Sequence, residues 1–201
     1  MELVIIRHGL PVTRVTEDGT AADPPLSDVG HEQAQRMAEW LSDEEFDGLY
    51  VSPLLRARET CAPLAEQQGM EPEVHQGVAE FDQHSDTYIP LEELKVINYE
   101  LWRRQMEDKR FGMEDPHSFR EVVVAALSEI AGRHRGGRAA VVCHGGVINA
   151  WASHVLGMDE VFFFDPVYTS INRFMVASTG QRSVVSLNEA GHLRRMVGGT
   201  T

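Results

Sequence analysis

Three short stretches of the chain end on residues suited to handling a phosphoryl group. Arg7-His8-Gly9 closes the first, Ser52-Pro53 followed by Arg56 the second, and His144-Gly145-Gly146 the third. Arginine presents a rigid planar fork that pairs with phosphate oxygens. A neutral imidazole is a nucleophile toward phosphorus. The glycines beside them let a ligand approach the backbone. Phosphoryl transfer asks mainly for positioning and charge stabilisation, and two arginines with two histidines supply both. Backbone amides at the start of a helix after Gly146 would add donors. A leaving alkoxide also needs a proton at neutral pH, which a carboxylic acid within 76–90 would give.

These residues work together only if one end of a sheet gathers them. Residues 3–6, 49–51 and 139–143 are short, continuous apolar runs, the pattern of strands buried on both faces of a parallel sheet. Between them run helical patterns. Ser27 is a candidate N-cap for a helix to about Ser42. Residues 54–68 form a second helix, with a break expected near Ala62 because Pro63 lies inside it. A helix spans 91–109. Another follows Pro116, with Phe119, Val122, Val123, Ala126, Leu127 and Ile130 as its apolar stripe and Gly136-Gly137 beyond it. A last helix covers about 146–156 and stops at Gly157. The C-terminal part reads as a hairpin, 172–177 with 183–187 around Gly180. Strands alternating with helices predict an α/β, three-layer sandwich with a mostly parallel central sheet and helices on both faces. Residues 1–201 are expected to form a single domain, with an insertion at about 76–116 over one end of the sheet. In open α/β sheets ligands bind at the carboxyl ends of the strands, where the three motifs lie.

With Pro25-Leu26-Ser27, Gly30, Gln33-Ala34, Leu54, Ala57 and Thr60 added, four motifs spanning residues 7–146 stand in order. In this the chain resembles the histidine phosphatase superfamily, the phosphoglycerate-mutase-like group. The resemblance implies that His8 is the nucleophile and becomes a phosphohistidine. It implies that Arg7 and Arg56 clamp the substrate phosphate and that His144 is a second catalytic, phosphate-binding histidine. Glu80, in Val78-Ala79-Glu80-Phe81, matches the family's proton donor, and Asp82 is the alternative donor. The chain departs from the family in Leu10-Pro11-Val12-Thr13 after Gly9, and in having no Glu-Gly pair soon after the acid. Arg103-Arg104 weakly resembles an arginine pair that mutases use for their substrate. Only 63 residues, 81–143, separate Glu80 from His144, shorter than in cofactor-dependent mutases.

The expected function is therefore a phosphomonoesterase acting on a small phosphorylated metabolite. The alternatives are a phosphoglycerate mutase and a catalytically inactive binding protein of the same fold. No metal and no cofactor are expected, since the alternating Asp82, His84 and Asp86 read as a polar loop. Specificity is assigned to 10–25 and 76–116, where Phe81, Tyr88, Trp102 and Phe111 are candidates for an apolar wall.

Composition narrows the partners. Asp plus Glu number 31 against 18 Lys plus Arg, a formal charge of −13. That balance opposes binding to nucleic acid or anionic membrane surfaces. It leaves a small phosphate ester, which answers to the local field of a pocket rather than to net charge. Two cysteines, Cys61 and Cys143, are too few for a disulfide framework. No signal peptide or membrane-spanning run is visible. A cytoplasmic protein is expected, and the resemblance adds a homodimer. Lys95 and Lys109 are the only lysines.

Overall fold

A computed structural model describes residues 1–108 and 110–194. Lys109, the expected end of one helix, lies outside the described residues. Among the described residues, strands β1 (Glu2–Arg7), β2 (Arg14–Val15), β3 (Gly48–Val51), β4 (Glu73–Val74), β5 (Thr87–Tyr88), β6 (Arg138–Cys143), β7 (Ile171–Val176) and β8 (Arg182–Glu189) accompany six α-helices. These are α1 (Asp28–Trp40), α2 (Leu55–Gln68), α3 (Leu91–Ile97), α4 (Tyr99–Asp108), α5 (Pro116–Arg133) and α6 (Gly145–Leu156). The main sheet runs β4-β3-β6-β1-β7-β8. Its first four strands are parallel, and the hairpin β7–β8 joins β1 antiparallel.

The period-2 alternation of β1 builds the three layers. Leu3 and Ile5 point to one face, packing in a cluster with Val123, Leu127 and Ile130 of α5 and Ile148 and Trp151 of α6. Val4 and Ile6 point to the other, with Met37 of α1 and Leu64 of α2. Both faces are covered, so the strands carry no polar alternation. The central sheet and its flanking helices are those expected from the apolar runs.

Local signals account for most element ends. The Ser27 hydroxyl accepts from the Gly30 amide at 3.1 Å, capping α1. Three expectations are corrected. α2 continues unbroken through Pro63. The proline removes one helical hydrogen bond, but Cys61, Leu64 and Ala65 around it are buried on the sheet, and that packing holds the helix line. The helix expected over 91–109 is two helices. Asn98 leaves helical geometry (φ −150°), and its side-chain oxygen accepts from the Leu101 amide at 3.1 Å, so it ends α3 and caps α4. Val122 is 57% exposed, because Val123, Ala126, Leu127 and Ile130 fill the buried face of α5.

A small second sheet ties the expected specificity segments to each other. β2 pairs antiparallel with β5, Arg14 opposite Tyr88 and Val15 opposite Thr87. Among the described residues, no helix is long and apolar enough to cross a membrane.

Candidate active site

β1, β3 and β6 end side by side, and each releases its motif there. The backbone holds the first motif tightly. The His8 amide donates to the Cys143 carbonyl at 2.9 Å, and the Thr169 amide donates to the His8 carbonyl at 3.2 Å. The Gly9 amide donates to the Thr60 hydroxyl at 2.9 Å, which itself donates to the Arg56 carbonyl at 2.6 Å. Thr60 thus links the Arg7-His8-Gly9 segment to the first turn of α2, which bears Arg56. Gly9 and Gly30 lie so close that a methyl group on Gly9 would sit 2.6 Å from the Gly30 carbonyl oxygen. This close approach is why the segment 9–30 needs glycine at both positions.

Arg7, His8, Arg56, Glu80 and His144 are all buried. His8 Nδ1 lies 2.7 Å from the Gly9 carbonyl oxygen. A carbonyl only accepts, so Nδ1 carries the proton and Nε2 of the neutral ring keeps its lone pair. Burial holds His8 well below its ordinary pKa, and the Arg56 and Arg7 charges add to the effect. His8 is therefore neutral at pH 7. Its ring centroid lies 5.1 Å from that of His144. His144 Nε2 is 2.7 Å from the Ser52 hydroxyl. Burial and the charges of Arg56, His8 and Arg7 depress its pKa as well.

Arg7 is fixed by the Pro166 carbonyl, by Asp165 at 3.5 Å and by the Tyr168 ring, whose centroid is 4.0 Å from the guanidinium carbon. Arg56 lies 3.3 Å from Asp82 and 3.9 Å from Asp23, with its guanidinium carbon 4.5 Å from the centroid of Tyr88. Stacked arginines of this kind arrive with their forks already oriented.

The two acids differ. Glu80 accepts from the Gly146 amide at 2.9 Å and from the Phe81 amide at 3.2 Å. Burial and the neighbouring Asp82 raise its pKa to about 7, against the opposing pull of those amides and Arg56. Burial raises Asp82 too, but the Arg56 charge and hydrogen bond oppose it directly. The expectation that the first amides of α6 face the ligand is corrected at Gly146, whose N–H is committed to Glu80.

These groups border a cavity of about 570 Å³, a normal size for a small-molecule site. Arg7, His8, Arg56, Glu80 and Asp82 line its floor. His144 sits behind His8, fully buried. Of the expected apolar candidates, Phe81, Tyr88 and Phe111 reach the wall, whereas Trp102 stacks on Tyr99 with centroids 5.5 Å apart. Arg103 is tied to Glu100 and Glu107 on the exposed side of α4. His84 is exposed, and no group of metal-ligating side chains forms among the described residues.

Sequence reading missed several supports. Tyr168, Asp165 and Pro166 carry Arg7, yet no motif marks residues 157–171. Asn149 binds the Gly145 and Phe164 carbonyls and receives the Phe163 and Phe164 amides, fixing that segment to α6. Ser52 and Thr60 were legible as motif letters but without roles.

The profile of the histidine phosphatase superfamily, branch 1, matches residues 3–190, and the chain belongs to that superfamily. It is 28% identical over 202 residues to phosphoserine phosphatase 1 of Hydrogenobacter thermophilus, covering 96% of this chain and 94% of that protein. It is 31% identical over 157 residues to phosphoglycerate mutase-like protein 4 of Arabidopsis thaliana, covering 74% of this chain and 68% of that one. The structure of a phosphoserine phosphatase mutant from Entamoeba histolytica in complex with phosphoserine shares its fold. The TM-score is 0.74 at 24% identity, over 96% of this chain and 98% of that chain.

Proposed function

We propose that the protein is a phosphomonoesterase that hydrolyses a small phosphate ester through a phosphohistidine on His8. One observation carries this reading. Two cations, Arg7 and Arg56, a neutral imidazole, His8, with its Nε2 unprotonated, and a carboxylic acid, Glu80, line one cavity, and that combination is what transfer of a phosphoryl group to a histidine nitrogen requires.

The chemistry follows from the tautomers and charges. Arg7 and Arg56 hold the phosphoryl oxygens, and His144, expected to join that clamp, instead backs the His8 ring from outside the cavity lining, 5.1 Å between centroids. His8 Nε2 attacks phosphorus with its lone pair while Nδ1–H stays on the Gly9 carbonyl. The bond from phosphorus to the ester oxygen breaks, and Glu80, half neutral near pH 7, gives that oxygen its proton. Glu80 is now a carboxylate and takes a proton from water. The hydroxide formed attacks phosphorus, the N–P bond breaks, and phosphate leaves. Glu80 is preferred to Asp82 because it makes no hydrogen bond to Arg56.

A mutase must hold a doubly phosphorylated species while it returns the phosphoryl group. Arg103 and Arg104, the pair suggested for that task, do not line the cavity, and this favours hydrolysis. The residues at 76–116 act as part of the same functional domain, shaping the cavity. The expected homodimer is checked by light scattering and the cytoplasmic location by cell fractionation.

The direct test replaces the nucleophile. His8→Ala should abolish turnover of an aryl phosphate, and the wild-type enzyme quenched during turnover should carry an acid-labile, base-stable phosphoryl group. Retained turnover in His8→Ala would overturn the nucleophile assignment.

A further inference from the structure

Beyond its phosphate floor the cavity changes character. α3 and α4 contribute to its lining, and α3 is held by hydrogen bonds from the Tyr168 hydroxyl to Glu92 at 3.2 Å and from the Thr13 hydroxyl to Glu93 at 2.5 Å. The wall they complete contains Phe81, Phe111, Phe162, Leu94, Leu101 and Met106. Three of these rings form one cluster. Phe111 and Phe162 lie 5.3 Å apart, Phe81 and Phe162 5.8 Å, and Phe81 and Phe111 6.2 Å, centroid to centroid. These are edge-to-face and tilted contacts of a rigid aromatic surface.

The charges on the wall are as informative. Among the described residues, Arg7 and Arg56 are the only cations lining the cavity, and the phosphoryl group uses both. The basic residues described on the overlying segment point elsewhere. The Lys95 ammonium lies 4.7 Å from the Trp102 ring centroid. Arg103 pairs with Glu100 and Glu107, Arg104 lies against the Glu100 carbonyl, and Arg110 is exposed beside a separate groove. The charged wall groups outside the phosphate clamp are carboxylates: Glu80, Asp82 and, with its side chain 67% exposed at the rim, Asp165. A second anionic group on the substrate would lose its water against apolar rings and meet negative charge.

We propose that the leaving group is an uncharged, largely apolar alcohol, seated against the Phe81–Phe111–Phe162 cluster and the Leu94 and Leu101 side chains. This deepens the phosphomonoesterase reading and rests on it. It departs from the phosphoserine and phosphoglycerate in the names of the relatives, whose carboxylate would find no cation lining the cavity beyond Arg7 and Arg56 among the described residues. The chemistry fits: apolar area on the leaving group is buried in ground and transition states alike, so it acts mainly through KM.

The experiment compares alkyl esters of similar intrinsic reactivity, so that leaving-group acidity does not decide the result. kcat/KM is measured with the purified full chain for 3-phenylpropyl phosphate, glycerol 3-phosphate, O-phosphoserine and 3-phosphoglycerate. The phenylpropyl ester is expected to exceed 3-phosphoglycerate by on the order of 100-fold, the scale of discrimination that pocket contacts and unpaired charge produce. Phe111→Ala should lose about tenfold in kcat/KM for the phenylpropyl ester, mostly through KM, and clearly less for glycerol 3-phosphate. Leu101→Arg, at a half-buried wall position, should raise kcat/KM for 3-phosphoglycerate. A wild-type enzyme that prefers 3-phosphoglycerate or O-phosphoserine overturns the inference and leaves the phosphomonoesterase reading standing. An enzyme that hydrolyses none of the esters, with no phosphohistidine formed, overturns that reading itself.

Discussion

Glu80→Gln separates a proton donor from a merely buried acid, because the two roles move different observables. In the folded chain the Glu80 pKa is about 7, against an ordinary 4.5, with burial as the leading cause. A shift of that size corresponds to about 3 kcal/mol between the two protonation states. The sign follows from proton counts. Between pH 4.5 and about 7 the folded chain holds a proton that the unfolded chain has released, so stability falls as pH rises through that window. Above about 7 the folded chain carries the full cost of a buried carboxylate. Glutamine removes that cost. It also turns one amide N–H toward a backbone donor, forfeiting about 1 kcal/mol of hydrogen bonding from Phe81 or Gly146. The net expectation is that Glu80→Gln is about 2 kcal/mol more stable than wild type at pH 8, or roughly 4–8 °C in Tm for a domain of this size. At pH 4.5 the advantage vanishes or reverses.

Catalysis should move the opposite way. Without a proton to give, kcat for an alkyl ester falls on the order of 100- to 10,000-fold. A nitrophenyl ester leaves as a stable anion and needs no donor, so phosphorylation of His8 survives. The second step lacks its base, and nitrophenol should appear as a burst equal to the enzyme present. In the wild type, kcat/KM should decline above about pH 7 as Glu80 ionises. Its acid limb should lie below the ordinary histidine range, because burial, Arg56 and Arg7 depress His8. The paired measurements are calorimetry at pH 4.5 and 8 and stopped-flow with both esters. Equal losses on the two esters, no burst, and a Tm difference independent of pH would refute the assignment. The same pattern appearing in Asp82→Asn instead would transfer the role to Asp82.

Two further perturbations probe the scaffold. Ser52→Ala removes the hydroxyl that lies 2.7 Å from His144 Nε2 and accepts from the Leu54 amide; kcat/KM should fall about 10- to 100-fold, the range for a lost orienting partner, and Ser52→Thr should recover most of it. Gly30→Ala would drive a methyl group into the Leu10 carbonyl oxygen, so a loss of about 1–3 kcal/mol by denaturant titration is expected, with activity lowered because Gly9 packs on the same residue.

Much of this protein was legible along the chain. The apolar runs at 3–6, 49–51 and 139–143 had to be buried on both sides, and a parallel sheet follows from that. Ser27 and Gly157 marked helix ends through local chemistry that needs no tertiary partner. Arg7 ends a strand, and His8, Arg56 and His144 come after strand ends, so their meeting follows from the sheet having one carboxyl end. Elsewhere local signals lost to tertiary packing. Pro63 failed to break α2 because the sheet beneath it holds both sides of the helix. Asn98 broke the helix expected over 91–109 because its cap competes with a continuation that buries little.

The sequence also left the electrostatics undetermined. A formal charge of −13 says nothing of a pocket where two arginines are buried beside two neutral histidines. The tautomer of His8 is set by one carbonyl, and the pKa of Glu80 by burial and a carboxylate two residues away whose charge Arg56 partly offsets. Tyr168, Asp165 and Pro166 lie more than 150 residues from Arg7 in the chain and still orient it. The sequence by itself determined the strand ends and the reactive residue types, because strand burial and turn chemistry are local. The tertiary structure alone decided which groups are desolvated, which are paired and what lines the rest of the cavity, because those quantities depend on distance in space.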